Sequence, residues 1–233
     1  MLGKDLDLVI PPEKAPAIDQ AIAESRGTWT NPDEPEVWER YDTAARISAA
    51  LGRDPLAVAD LYLQASWTAR DHAVGIYVGG LNGPEAAKKI LDIGAKELKK
   101  DLTPEATKLL RYNLARVAHR GGFVSERDAH LEAFLTLPNL TPEERQAGLR
   151  MQRIATVIEP ALQARAISAL KAALASGGDS QRLLQARYQL ADLQRRIGQN
   201  AAAKRDFHLV AQSGSASDDV RALAEFLLDT LGG

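Results

Sequence analysis

Four histidines, His72, His119, His130 and His208, are the side chains of this chain best suited to acid–base work or metal ligation near neutral pH. None stands in an H-E-x-x-H or H-x-x-x-H arrangement, so no helical turn presents a pair of imidazoles to a metal. The chain has no Cys, which removes thiolate ligands, thiol nucleophiles and disulfides together. Ser, His and Asp are all present, but no G-x-S-x-G elbow lifts a serine out as a nucleophile. The histidines therefore read as half-exposed surface or packing residues. The expectation is a non-enzymatic protein with no catalytic residue, no metal and no cofactor.

Two other features have the chemistry to meet an anion. Gly79-Gly80-Leu81-Asn82-Gly83-Pro84 is the Gly-dense loop of the chain, and it leads into a helix N-terminus whose free N–H groups suit an anion. It lacks the Lys-Ser/Thr of a phosphate-binding loop and follows no convincing strand, so a turn between helices is the stronger reading. The second feature is charge asymmetry. Residues 1–71 hold 13 acids and 7 bases, whereas residues 145–205 hold 11 bases and only three acids, Glu159, Asp179 and Asp192. A basic segment of this kind attracts phosphates or an acidic protein surface. Arg145, Arg150, Arg153, Arg187, Arg195 and Arg196 are the candidate partner-binding residues. The plainer reading is that such arginines solvate outer helix faces or meet the acidic N-terminal region inside the fold. The net charge of -2 and a pI near 6.1 weigh against a dedicated nucleic-acid binder. So does the local supply of stacking aromatics, which is limited to Tyr188 and Phe207.

The elements that must position these residues are helices. The composition, 45% hydrophobic and 26% charged over 233 residues, is that of a chain able to bury a core. Four prolines follow a plausible N-cap, in Asp54-Pro55, Gly83-Pro84, Thr103-Pro104 and Thr141-Pro142. Thr141 with Glu144 reads as a capping box. Leu183, Ala186, Leu190, Leu193 and Ile197 recur at three- and four-residue steps, and similar faces occur at 35–51, 55–79, 84–100, 104–120, 158–175 and 217–231. Val74-Gly75-Ile76-Tyr77-Val78 is the best strand candidate, but it continues a helical pattern and is assigned to the end of a long helix. Residues 1–34 are expected to form an N-terminal extension, with a short helix from Ala17 to Ser25 and a Pro-rich loop. Residues 35–233 are expected to form one helical repeat domain.

Gly52, Gly122 and Gly198 each follow a helical run, about 70 and 76 residues apart. Half of each spacing is close to the ~34 residues of a tetratricopeptide helix pair. Residues 184–212 resemble such a repeat, with Leu190 and Ala191 in the first helix, Gly198 at the turn, and Ala203 and Phe207 in the second. Arg187, Gln194 and Ser215 depart from the motif. More loosely, Tyr41–Ala45, Ala59–Trp67 and Leu190–Gly198 are similar to the helical part of an uncharacterised bacterial domain family. That resemblance implies a cysteine-rich metal-binding segment ahead of the helices, which a chain without Cys does not carry.

The expected fold is therefore all-α, with antiparallel helix pairs stacked as a TPR-like right-handed solenoid. Its groove would bind a peptide or protein partner, with an acidic segment meeting the basic stretch; nucleic-acid binding through residues 145–205 is the alternative. The last helix carries a broad apolar arc of Val220, Leu223, Ala224, Phe226, Leu227, Leu228 and Leu231. It is expected to pack back on its neighbours, with pairing to a second copy as the alternative. No run of ~18 apolar residues suits a bilayer, and the first ten residues fit neither a secretory signal nor a transit peptide. No membrane association and a cytoplasmic location are the corresponding expectations.

Overall fold

The computed structural model describes residues 37–74, 83–177 and 180–232, together with Pro16 and Gln20. The readings made for residues 1–34, for the strand-like segment after Val74 and for Gly79–Asn82 lie outside the described residues. Among the described residues the protein is all-α, with helices and turns and no strand. In chain order the helices are α1 (Val37–Ala50), α2 (Pro55–Val74), α3 (Gly83–Glu97), α4 (Pro104–Gly121), α5 (Val124–Leu135), α6 (Pro142–Arg153), α7 (Glu159–Ser176), α8 (Ser180–Arg196), α9 (Asn200–Ala211) and α10 (Asp218–Gly232). A π-helical turn, Ile154–Ile158, joins α6 to α7, so residues 142–176 form one uninterrupted helical run.

The helix starts follow the local chemistry. Thr103 Oγ1 accepts from the Ala106 N–H at 3.2 Å, with Pro104 behind it. Thr141 and Glu144 form the reciprocal capping box: the Glu144 N–H donates to Thr141 Oγ1 at 3.2 Å, and the Thr141 N–H donates to Glu144 Oε2 at 2.8 Å. Gly122 ends α4 at φ 75°, a left-handed geometry that Gly adopts without a Cβ penalty.

Packing centres on α2. Its small residues Ala65, Ala69 and Ala73 repeat every fourth position and are buried, which lets neighbouring helices come close. Val58, Leu61 and Leu63 on other faces of α2 meet Ala166, Ile167 and Leu170 of α7 and Leu190 and Leu193 of α8. Helix α2 packs most extensively on α7, and also on α1 and α4. That α2–α7 pairing joins helices distant in the chain, alongside the sequential pairs α4–α5, α8–α9 and α9–α10. Of the residues that carry the repeat resemblance, Ala191, Ala203 and Phe207 share one fully buried cluster with Val210, Ala224 and Leu227, while Leu190 packs in the cluster between α2, α7 and α8. Helix α10 packs back on α9, with Leu223, Phe226, Leu228 and Leu231 half-buried around that contact. Among the described residues, no helix is long and apolar enough to cross a membrane.

A buried charge network beside a polar cavity

The site originates in a backbone irregularity. In an α-helix the Glu159 N–H would donate to the Ala155 carbonyl; here it donates to Ile154, one residue further back. A π-type bond one step further along would need an N–H at residue 160, but residue 160 is proline and has none. The Ala155 carbonyl is thus left without its usual helical donor. Arg127 Nη1, reaching across from α5, donates to it at 3.4 Å.

Glu159 stands just after this turn and is 3% exposed. Its Oε1 accepts from Arg70 Nε of α2 at 2.8 Å and from Gln163 Nε2, one turn along α7, at 2.7 Å. Arg70 Nη2 is also 2.8 Å from Oε1, and His119 Nε2 of α4 is 3.1 Å from Oε2. Both nitrogens are off the line of a hydrogen bond, so these two contacts are electrostatic rather than aligned. Burial works against the charged form of Glu159, but Arg70 and then His119 outweigh it and hold the carboxyl well below the usual range. Burial lowers the His119 pKa, with Arg70 and Arg127 adding to the effect and Glu159 opposing it. His119 is therefore a neutral imidazole at pH 7. Arg70 is lowered by burial and by Arg196, yet an arginine keeps its proton.

A second knot adjoins the first. Asp192 of α8 accepts from Arg195 Nε and Nη2 through Oδ1, at 3.1 and 2.7 Å, and from Arg196 Nε through Oδ2 at 2.7 Å. Burial opposes its ionisation, and Arg196 with Arg195 reverses that, so Asp192 lies far below the normal range. The far ends of both arginines donate to the carbonyls that close α4. Arg195 reaches Gly122 and Gly121 at 2.8 and 2.9 Å, and Arg196 reaches His119 and Arg120 at 3.4 and 3.2 Å. Cations at the negative end of a helix are favourable. Gly122 makes room for them: a Cβ there would lie 2.5 Å from Arg195 Nη2.

Between these knots lies a cavity of about 590 Å³, of the size that accommodates small molecules. Its wall takes His119 from α4, Ser125, Glu126 and Arg127 from the start of α5, Thr156 and Glu159 from the π turn and its end, and Arg195, Arg196 and Asn200 from α8 and α9. Thr230 and Leu231 of α10 complete it. The wall can offer hydrogen-bond donors and positive charge, and a neutral imidazole able to give or take a proton. Among the described residues, no group of three or more His, Asp or Glu side chains gathers as a metal site.

The six arginines singled out from the sequence divide three ways. Arg195 and Arg196 come together at the cavity, with their nitrogens committed to Asp192 and the end of α4. Arg187 pairs with Asp206 of α9 at 2.8 Å, and Arg145 donates to the Leu135 carbonyl at the end of α5 at 3.1 Å. Arg150 and Arg153 are exposed on α6, and neither makes an ion pair or side-chain hydrogen bond among the described residues. Among the described residues the basic stretch meets the acidic N-terminal region where Arg165 holds both oxygens of Asp42 at 2.5 and 2.6 Å.

The histidines also separate. His208 is exposed, His130 is half-buried with Nδ1 3.1 Å from Arg111 Nη1, and His72 lies against Trp38 with ring centroids 5.3 Å apart. His119, at 4% exposure, is the buried one of the four and lies against Glu159 just after the π turn. Sequence reasoning missed the partnership of Arg70, His119, Arg127 and Glu159. The usable signal was that Glu159 and Asp192 are two of the only three acids in a basic stretch. Comparison with protein-family models, with curated proteins and with solved structures gives no match to the chain.

Proposed function

We propose that the protein is a non-enzymatic interaction module that binds an acidic partner segment. The observation that carries this reading is a face of the 142–176 run on which Leu149, Arg150, Arg153 and Val157 are all exposed on successive turns. Leu149 and Val157 are 51% and 52% exposed, one turn to either side of Arg153 along that face. Arg150 and Arg153, between them, have no charged partner among the described residues. An acidic helical segment with apolar residues at the matching spacing is complementary to both features. Stacking of helix pairs as a right-handed TPR-like solenoid belongs to the same reading, and the serial contacts α8–α9–α10 support it over that part of the chain.

The test is fluorescence anisotropy with a labelled helical peptide bearing Leu and Glu four residues apart along one face. The wild-type protein is expected to bind it, and the Arg150→Glu/Arg153→Glu variant to bind about tenfold more weakly or worse. Both positions are exposed, so the variant keeps its core. Equal binding by the two proteins refutes the reading. Stronger binding to an oligonucleotide, falling steeply with salt, replaces it with nucleic-acid recognition.

A further inference from the structure

Helix α1 begins at Val37, and 36 residues precede it in the sequence. That segment carries eight acids and three bases. Its apolar residues stand beside its acids: Leu6 and Leu8 with Asp5 and Asp7, and Ile18 and Ile22, four residues apart, with Asp19 and Glu24. The exposed face of α6 is the chemical opposite. Residues 145–157 hold Arg145, Arg150 and Arg153 and no acid, and Leu149 and Val157 stand open on either side of Arg153. The fold also brings the end of the segment near that face. Arg165 of α7 holds Asp42 of α1, and Arg165 lies eight residues beyond Val157 on one helical run, about 12 Å along its axis. Trp38 and Tyr41 of α1 pack against the cluster that contains Met151 and Ile154. Val37, five residues before Asp42, is therefore held within roughly 30 Å of the face. At about 3.3 Å per residue, about ten residues span that distance, so Ile22 and everything before it can reach.

We propose that the acidic N-terminal segment of this same chain, residues 1–36, occupies the Leu149–Val157 face and competes there with an external acidic partner. The inference rests on the reading of that face as a binding surface, and adds how access to it is regulated. Acids of the segment meet Arg150 and Arg153, and its apolar side chains cover Leu149 and Val157. The contact is intramolecular. A tether of this kind supplies an effective concentration of about millimolar order, so even a weak contact is populated. An outside partner must displace the segment and binds more weakly by that competition. Anything that neutralises or captures the segment opens the face.

The chain has no Cys, so Ser25→Cys gives a single site for a nitroxide label in the full chain. Paramagnetic broadening of the amide signals of an isotope-labelled sample tests the proposal. The Leu149–Val157 amides are expected to broaden, and to recover when Arg150→Glu/Arg153→Glu is added, since the tether is unchanged and only the attraction is reversed. In a mixture of spin-labelled, isotope-free protein with unlabelled, isotope-enriched protein, those amides are expected to stay sharp. A second measurement uses the labelled Leu/Glu helical peptide. Asp5→Lys/Asp7→Lys/Asp19→Lys/Glu24→Lys is expected to bind it about threefold tighter than wild type or better. The proposal is overturned if the Leu149–Val157 amides stay sharp, if the broadening survives Arg150→Glu/Arg153→Glu, or if it appears in the mixture, which would make the occupant a second copy. Sharp amides with a peptide that binds remove the N-terminal segment and leave the face as a partner site. Broadened amides with a peptide that binds neither wild type nor the lysine variant keep the segment and remove the outside partner.

Discussion

Replacing Glu159 by Gln asks how much of the fold rests on the buried charge network. Glu159 and Arg70 are 3% and 5% exposed. Glutamine keeps the shape and can still accept from Arg70 Nε, but it removes the charge. Arg70 is then left in the interior under the field of Arg196, with its adjacent counter-ion gone. Removing one partner of a buried ion pair costs about 3–5 kcal/mol. At about 2–4 °C per kcal/mol for a chain of this size, the melting temperature falls by roughly 6–20 °C. Thermal unfolding followed by far-UV circular dichroism measures the change. The double variant Arg70→Met/Glu159→Met removes both charges and is expected to lose less than the two single variants combined. The pH dependence provides an internal check. The folded state holds the Glu159 carboxyl below its ordinary value of 4.5, so its contribution is complete above that pH and fades as the solution becomes more acidic. The gap between wild type and Glu159→Gln should therefore narrow in acid. A neutral-pH melting temperature within about 2 °C of wild type refutes the reasoning, as does a gap that stays constant across that range.

Two further outcomes can be checked with the same apparatus. His119 is neutral because burial lowers its pKa below the ordinary 6.5, so its contribution is complete above that value and is lost as the pH falls through the lowered one. Wild-type stability should decline as the pH drops below 6.5, and His119→Gln should show a shallower decline; parallel profiles would contradict this. Gly122→Ala forces a left-handed residue to carry a Cβ, at about 1–2 kcal/mol, and brings that atom 2.5 Å from Arg195 Nη2. Urea unfolding should show a lower midpoint by at least the backbone cost, and an unchanged midpoint would remove the Arg195–Gly122 contact from the account.

Much of the framework was legible because it is written in local chemistry. Thr103-Pro104 and Thr141-Pro142-Glu143-Glu144 announce helix starts through contacts spanning three residues, and Gly52, Gly122 and Gly198 all carry the positive φ expected at helix ends. Ala191, Ala203 and Phe207 share a cluster because their spacing within one hairpin brings them together. The candidate site was not legible, for a physical reason. Arg70 and Glu159 are 89 residues apart, and on its own helix each looks like an ordinary charged residue that water would solvate. Only the packing of α7 on α2 removes that water. Likewise, nothing around Ile154 announces a π turn, and Glu159-Pro160 reads as the start of a new helix. The proline instead lies inside a continuous run, because the wider turn accommodates its missing donor.

That wider turn also separates length from phase. It is the signature of one surplus residue absorbed in place, so the stretches before and after it stay in step, and Met151 and Leu162 line the same interior cluster. A surplus or lost residue anywhere else in 142–176 would swing everything beyond it by about 100°. Losing Pro160 itself would take out both the extra residue and the absent N–H. The run could then close into regular α-helix with its two inward sides still aligned.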